Sequence, residues 1–377
     1  MTGLGIGEQG PANMTTYRIT VIAGDGIGPE VMAEALKVLR AIETHFPGLR
    51  FDCKEYRAGA RCYKETGTDL PVETLEACKT ADAILFGATG DPSIRFPNGT
   101  EIMPQLTLRF VLDLYAGIRP IKRYAGVPPT LAGDPAIDYV IMRENTEGLY
   151  ASRGAGVQVG EHVAVDNMVI TRPGTERIVR YAFRVAQRRQ GAPADKVRRV
   201  TCVDKANVLK SMAFFRQIFY GVAREFPGIQ TEHAYVDAMT MYMVRRPLHY
   251  DVVVAENMFG DIISDLAAGT MGGLGMAPSA DVSDVYGLFQ PSHGTAPDIA
   301  GKGIANPIAQ ILSAGMMLDW LAERKQDPQA AVAARAIDAA VEATLCDSRY
   351  RTADIGGRAT TGAVGDAISA RIRAAKV

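Results

Sequence analysis

Apolar residues along this chain follow two rhythms: short, nearly unbroken runs, and longer stretches in which they return every three or four positions. The first run, YRITVIA from Tyr17, is rich in β-formers and is followed by GDGIG. PEVMAEALKVLRAI comes next with helical spacing and Pro29 near its first turn. Similar strand-like runs stand at ADAILFG (81–87), AIDYVIM (136–142), VRRVTCVD (197–204) and YDVVVAEN (250–257). Helix-like segments such as TERIVRYAFRVAQRR lie between most of them. This alternation predicts an α/β fold with a largely parallel sheet. Gly/Pro-rich stretches at 91–100 and 152–160 predict loops or an arm, and the alanine-rich segment Gln329–Ala343 predicts a helix. No internal repeat, heptad or low-complexity tract stands out.

Length refines this picture, because 377 residues exceed what one hydrophobic core usually organises, roughly 250–300 residues. Two lobes are expected. The 41 basic and 42 acidic residues nearly cancel, so the sustained basic field of a nucleic-acid or membrane-surface binder is absent and anion binding must be local. Five scattered cysteines lack the spacing of a zinc site and suit a reducing compartment. The opening MTGLGIGEQGPAN has neither a basic nor an apolar targeting region, and no apolar stretch approaches about 18 residues. A cytoplasmic protein is the expectation, with the residues before about Met14 as a loose extension.

Several residues could carry chemistry. The run Gly24–Glu30 (GDGIGPE) resembles a dinucleotide turn but lacks the Gly-x-Gly-x-x-Gly spacing, and a tight strand-to-helix turn explains its glycines equally well. GTAPDIAGKG from Gly294 fails as a phosphate loop because six residues separate Gly294 from Gly301, and Gly303 replaces the Ser/Thr. An ATPase or kinase is therefore disfavoured. In NMFGDIISDLAAG, Asp261 and Asp265 fall one helical turn apart among apolar neighbours, so a cation is expected between them unless they simply face solvent. Carboxylates of this kind suit magnesium or manganese. Asp237, at the end of a predicted strand, is either a third acid of that set or a helix cap. Arg109 and Arg119 lie in an unusually apolar segment and need anionic partners, either a substrate carboxylate or a structural one such as Asp113. Arg143 stands at a strand end, where α/β ligand sites form, and Lys205 follows another strand. Beside a divalent cation that lysine would have its pKa pushed down and could act as a base.

Taken together, GDGIGPE, RENTEGLY (143–150), VDKANVLK (203–210), VDAM (236–239), NMFGDIISDLAAG (257–269) and HGTAPDIAGKGIANP (293–307) resemble the isocitrate and 3-isopropylmalate dehydrogenase family of β-decarboxylating dehydrogenases. The resemblance spans nearly the whole chain from about residue 17. It implies a two-lobed fold with a mostly parallel sheet and a dinucleotide site unlike the Rossmann type. Residues 1–114 and 272–377 would form a larger, cofactor-side domain, and 115–271 a smaller central one with the dimer interface and an interlocking arm. It further implies a homodimer with shared active sites. Asp261 and Asp265, with Asp237 of the partner subunit, would hold magnesium or manganese. Arg109, Arg119 and Arg143 would grip the malate carboxylates, and Tyr150 with Lys205 of the partner subunit would be the acid and base. Asn207 would help place the nicotinamide, and the loop from His293 and Gly294 through Asp298 and Ile299 to Asn306 would hold the adenosine half. The implied reaction oxidises a small malate-like 2-hydroxy acid and releases CO2 from the resulting β-keto acid.

The substituent at C3 distinguishes members of this family, and the residues before Arg109 are mixed. Gln105 and Leu106 stand where isopropylmalate enzymes resemble one another in having two apolar residues. Isocitrate enzymes place a serine and an asparagine where this chain has Met103 and Gln105, and homoisocitrate enzymes an extra arginine where it has Leu106. RENTEGLY is nearer the isocitrate, homoisocitrate and D-malate or tartrate members. Gln290 replaces a glutamate usual near the nicotinamide end, which leaves the cofactor contact there open. Asp298 and Ile299 stand where NAD-using members resemble one another, so NAD is the expected cofactor. The resulting expectation is 3-isopropylmalate dehydrogenase, followed by D-malate/tartrate dehydrogenase and then isocitrate dehydrogenase. A non-catalytic regulatory homologue is the alternative of a different class. No nucleic-acid or membrane partner is expected.

Overall fold

The structure, a computed structural model, describes residues 14–375, so the expected N-terminal extension lies outside the described residues. Strands run at β1 (Thr15–Gly24), β2 (Leu49–Glu55), β3 (Ala83–Ala88), β4 (Ala116–Lys122), β5 (Asp138–Glu144), β6 (Val157–Val159), β7 (Val163–Val165), β8 (Arg199–Asp204), β9 (Gln230–Tyr235), β10 (Val252–Ala255), β11 (Pro278–Val282) and β12 (Gly287–Pro291). Helices run at α1 (Gly28–His45), α2 (Ala60–Thr66), α3 (Val72–Thr80), α4 (Pro104–Val111), α5 (Arg172–Arg188), α6 (Lys210–Ala223), α7 (Val236–Arg245), α8 (Asn257–Met271), α9 (Ile308–Lys325), α10 (Pro328–Leu345) and α11 (Thr361–Ala374). The predicted strand runs and helices are all present, with ends shifted by a few residues.

Ten strands form one sheet in the order β2-β1-β3-β12-β11-β4-β5-β10-β8-β9. The β2-β1-β3-β12 set is parallel, as is the β5-β10-β8-β9 set. Three antiparallel pairings through β11 and β4 join them, so the two parallel sets run in opposite directions. Strands such as β3, β8 and β10 are buried along their whole length, which is why they read as continuous apolar runs rather than alternating ones. The largest apolar core joins both parallel sets, from Val21 and Leu85 through Met142 to Val203. No helix among the described residues is long and apolar enough to cross a membrane.

The GDG turn after β1 has a structural task. Gly24 and Gly26 adopt φ of 82° and 57°, and a Cβ on Gly26 would lie 2.1 Å from the Thr295 carbonyl oxygen. That contact lets Ile27 N–H donate to Thr295 O at 2.9 Å and docks the loop after β12 against the start of α1. Between the glycines, buried Asp25 accepts from the backbone N–H of Ala60 (2.7 Å), Arg61 (2.9 Å) and Gly90 (2.9 Å). The motif therefore works as a tight turn that ties three segments together. The 152–160 stretch, expected to be a loop or arm, carries part of a two-stranded hairpin, β6-β7, whose Val157, Val159, Val163 and Val165 are exposed.

Asp25→Ala leaves three inward-facing backbone donors without their acceptor. It is expected to destabilise the fold by about 2–4 kcal/mol, given roughly 1–3 kcal/mol per orphaned buried group partly relieved by water. Urea unfolding followed by circular dichroism checks this, and a loss below about 1 kcal/mol would remove Asp25 as the anchor of these segments.

Candidate active site

Sheet register assembles the centre of the site. Asp281 on β11 pairs with Gly117 on β4, which pairs with Arg143 on β5. Cross-strand partners share a face, as do residues two apart on one strand. Arg119, two residues from Gly117, and Gln290, paired with Ser279, therefore join Asp281 and Arg143 on one face of the central strands. Gly117 keeps the row open, because a Cβ there would lie 2.8 Å from Asn145 Oδ1.

Two helices complete the face. The last turn of α4 brings in Arg109, whose Nε donates to Asp281 Oδ2 at 2.9 Å. Helix α8 packs over Arg143 at Gly260, where a Cβ would come within 2.9 Å of the arginine's own Cβ. Its N-terminal Asn257 accepts through Oδ1 from Arg143 Nε (3.0 Å) and Nη2 (2.8 Å). One turn on, Asp261 forms an ion pair with Arg143 and accepts from Tyr150 Oη at 3.0 Å. Asp265, a further turn along, makes no hydrogen bond or ion pair among the described residues.

The arginines, Tyr150 and the two helix-borne carboxylates border a cavity of about 750 Å³, with Asp281 and Asn257 behind its wall. Its walls include Met103, Gln105, Leu106, Arg109, Arg119, Arg143, Tyr150, Asp261, Asp265, Gln290, His293 and Gly294. Three guanidinium groups in one buried place are electrostatically demanding. Burial and then Arg109 push Arg143 down to about 10, so it remains charged at neutral pH. Burial alone would raise Asp281, yet Arg109, Arg119 and the Asn145 amide hold its carboxyl below the usual range. Asp265 shifts upward through burial and then through the neighbouring charge of Asp261, as two carboxylates on one helix face should. Tyr150 is raised by burial and by Asp261, which keeps its hydroxyl protonated. Burial lowers His293, whose Nδ1 lies 2.9 Å from Gly294 O and whose buried Nε2 has no partner.

The remaining predicted residues lie elsewhere in this chain. Lys205 follows β8, and its Nζ lies 2.8 Å from Asp237 Oδ1 in the first turn of α7, where Asp237 makes no cap bond. Asn207 is exposed beside them. None of the three borders the cavity, and among the described residues no three His, Cys, Asp or Glu side chains come together to hold a metal. Asp298 is exposed and Ile299 packs against Ile27, Val31 and Ala305. Asn306 is buried with both ends engaged: Nδ2 donates to Asp354 Oδ2 (3.0 Å) and Oδ1 accepts from Ile308 N–H (3.0 Å). Its side chain anchors the loop.

One expectation is corrected. Asp113 is not the structural partner of Arg109 or Arg119; it pairs with Arg177 at 2.7 Å, and Asp281 takes both arginines. The sequence does carry a signal for Asp281, a charged residue inside the otherwise apolar or small run PSADV, but only register reveals its partners. Asn145, which donates to Asp281 Oδ1 at 2.8 Å, and Arg153, on the cavity wall with Nη2 donating to Glu101 O at 3.1 Å, were also missed.

Known proteins resemble the chain over nearly its whole length. A family model described as isocitrate/isopropylmalate dehydrogenase matches residues 18–368. The 3-isopropylmalate/3-methylmalate dehydrogenase of Methanocaldococcus jannaschii is 45% identical over 358 residues, covering 95% of this chain and 99% of that protein. The 3-isopropylmalate dehydrogenase of Frankia casuarinae is 45% identical over 352 residues, covering 91% and 99%. The crystal structure of isocitrate dehydrogenase from Methylococcus capsulatus superposes with a TM-score of 0.82 at 38% identity, covering 95% of this chain and 99% of that one. With family motifs, fold and near-complete coverage in accord, the chain belongs to the isocitrate/isopropylmalate dehydrogenase family.

Proposed function

We propose that this protein oxidises and decarboxylates 3-isopropylmalate, using NAD and magnesium or manganese. The observation that carries the reading is one cavity holding three buried arginines and two helix-borne carboxylates, flanked by Met103 and Leu106. Arginine forks match carboxylates, and the apolar flank suits an alkyl group at C3. Relatives named for 3-isopropylmalate support the same choice. Gln105, whose Oε1 accepts from Thr89 Oγ1 at 2.6 Å, gives that flank a polar edge and favours D-malate as the second reading.

The residues present fit the implied groups. Asp261 and unpaired Asp265 offer the hard oxygen donors that magnesium or manganese takes. The partnerless His293 Nε2 and the open space around Gly294, Gly301 and Gly303 suit a dinucleotide along that loop. Asp298 would meet the adenosine ribose, Asn306 would hold the loop in place, and Gln290 would face the nicotinamide end. When bound, the dinucleotide supplies a hydride acceptor and the divalent ion a Lewis acid for oxygens that gain negative charge. Arg109, Arg119 and Arg143 would orient the malate carboxylates. Lys205 of the partner subunit would take the hydroxyl proton, and Tyr150 Oη would deliver one to carbon after CO2 leaves.

A homodimer follows from the same reading. Lys205, Asn207 and Asp237 are exposed or half-exposed and stand apart from their own chain's cavity, as residues serving a second copy would. The hairpin valines would be covered by that copy. Residues 1–114 and 272–377 would form the larger domain and 115–271 the smaller, because strands from the two chain ends lie together on one side of the sheet. A cytoplasmic location accords with the cysteine usage.

Three outcomes test this reading. NADH formation against a panel of 3-substituted malates should give the highest kcat/KM with 3-isopropylmalate or D-malate, because a third carboxylate placed against Leu106 and Met103 loses its hydration. Fastest turnover of isocitrate would overturn the substrate assignment and point to Arg153. Asp265→Asn should lose at least about a thousandfold in kcat while remaining dimeric by light scattering, as expected when a metal ligand is removed. Near-wild-type activity at saturating manganese would exclude Asp265 from the metal site. NAD should be preferred over NADP by at least about a hundredfold in kcat/KM, because about 2.7 kcal/mol of repulsion between Asp298 and a 2′-phosphate gives that ratio. Parity would sink the role of Asp298.

A further inference from the structure

Asp281 is the most heavily engaged side chain in the site, yet no solvent reaches it. Its Oδ2 accepts from Arg109 Nε and from Gln290 Nε2, both at 2.9 Å. Its Oδ1 accepts from Asn145 Nδ2 at 2.8 Å and lies 3.5 Å from Arg119 Nη1. A carboxylate can only accept, so this geometry decides more than where two arginines sit. The Gln290 amide must turn its NH2 toward Asp281. Its Oε1, with no partner among the described residues, is then the free end of a side chain that lines the cavity.

From this we infer that Asp281 and Gln290 act as one positioning unit carrying a single negative charge, which sets Arg109 and Arg119 for the substrate carboxylates and presents Gln290 to the cavity as a hydrogen-bond acceptor. Two features depend on the unit. Arg109 has its Nε fixed and Arg119 has one edge against a carboxylate, so each keeps its other N–H groups for a ligand and neither needs reorientation on binding. The ligand group that meets Gln290 is an N–H or O–H donor and not an anion. Within a nicotinamide dinucleotide, the carboxamide NH2 of the nicotinamide supplies such a donor. The inference rests on the proposed reading for the identity of its ligands, but not for the coupling between the two residues.

The charge belongs to the pair, so it can be exchanged between the two positions. Gln290→Glu puts a second carboxylate against Asp281 at hydrogen-bonding distance, and Asp281→Asn removes the only acidic partner that Arg109 and Arg119 have among the described residues. In the double variant the asparagine at 281 donates through its NH2 to the glutamate at 290 and accepts through its oxygen from Asn145, the glutamate carboxylate takes over the single charge beside Arg109, and its second oxygen faces the cavity. A double-mutant cycle therefore separates a charge unit from two independent packing residues.

The experiment uses the intact protein and two readouts besides turnover. The first is the unfolding midpoint of the wild type, both single variants and the double. The second is binding by titration calorimetry, without dinucleotide, of 3-isopropylmalate, D-malate and malonate, the last a plain dianion probe. Each single variant should weaken binding of the dianion by about tenfold or more, and the double should bind at least about tenfold tighter than Asp281→Asn, so Gln290→Glu changes sign between the two backgrounds, a coupling of about a hundredfold or ~2.7 kcal/mol. In turnover, Asp281→Asn should raise the KM for the hydroxy acid more than it lowers kcat. Were both residues merely structural, the double would have the lowest midpoint and the weakest binding, and that result would overturn the inference. So would Asp281→Asn binding within about twofold of wild type. A cycle that holds with malonate while no malate is oxidised would leave the unit standing and remove the proposed function. If Asp281→Asn fails to fold, Gln290→Met carries the test. It should weaken NADH binding, read by nicotinamide fluorescence, by at least about threefold, and unchanged binding would refute the acceptor role.

Discussion

The structure depends on accommodating three guanidinium groups that are almost wholly out of water. An isolated buried cation is held at a penalty of several kcal/mol, and three together add mutual repulsion. The fold meets this with carboxylates from different parts of the chain: Asp281 from a strand for Arg109 and Arg119, and Asp261 from a helix for Arg143. These contacts do not cancel the positive field. They leave Arg119 with a single ion pair and no hydrogen bond, and Asp265 without a cation among the described residues, and both side chains line one cavity. A doubly charged hydroxy acid with a divalent ion is what such an imbalance suits.

The same requirement accounts for the sheet. An all-parallel arrangement would place ligand-binding loops at one edge, beyond the carboxyl ends of the strands. Here the antiparallel strands β11 and β4 interrupt the parallel order, and the polar face is built on the strands themselves. Rigid strands hold side chains more closely than loops can, which matters for groups whose neighbours carry full charges. The small residues Gly117 and Gly260 are part of this solution, since each lets a polar or charged group approach the backbone at a distance that a Cβ would forbid.

Much of this was legible from sequence because strands buried on both faces produce unmistakable apolar runs, and because Asp261 and Asp265 stand out against apolar neighbours. Arg109 and Arg119 were recognisable for the same reason, since a cation in an apolar segment demands a partner, and Arg143 because it stands at a strand end. What the sequence did not yield was the partner's identity. Asp113 lies close in sequence to Arg109 but its backbone turns it outward to Arg177, whereas Asp281 arrives from 172 residues away through strand pairing. Local spacing reports faces of single elements, while register between distant strands sets which charges meet. The GDG motif illustrates the converse, since its glycines signal a close approach without saying whether a ligand or another loop makes it.

The order of strands also bears on how the chain comes into being. Strands β4, β5, β8, β9 and β10 belong to one contiguous stretch and can pair as they emerge from the ribosome, whereas β3 pairs with β12 at Ile84 and Leu288, about 200 residues later. At synthesis rates of about 5–20 residues per second, β3 waits roughly 10–40 s for its neighbour. Throughout that interval AILFGA, buried at every position in the finished fold, presents an unpaired apolar edge. The N-terminal third is thus the part of the nascent protein most exposed to misassociation and most dependent on chaperone shelter, even though it is made first.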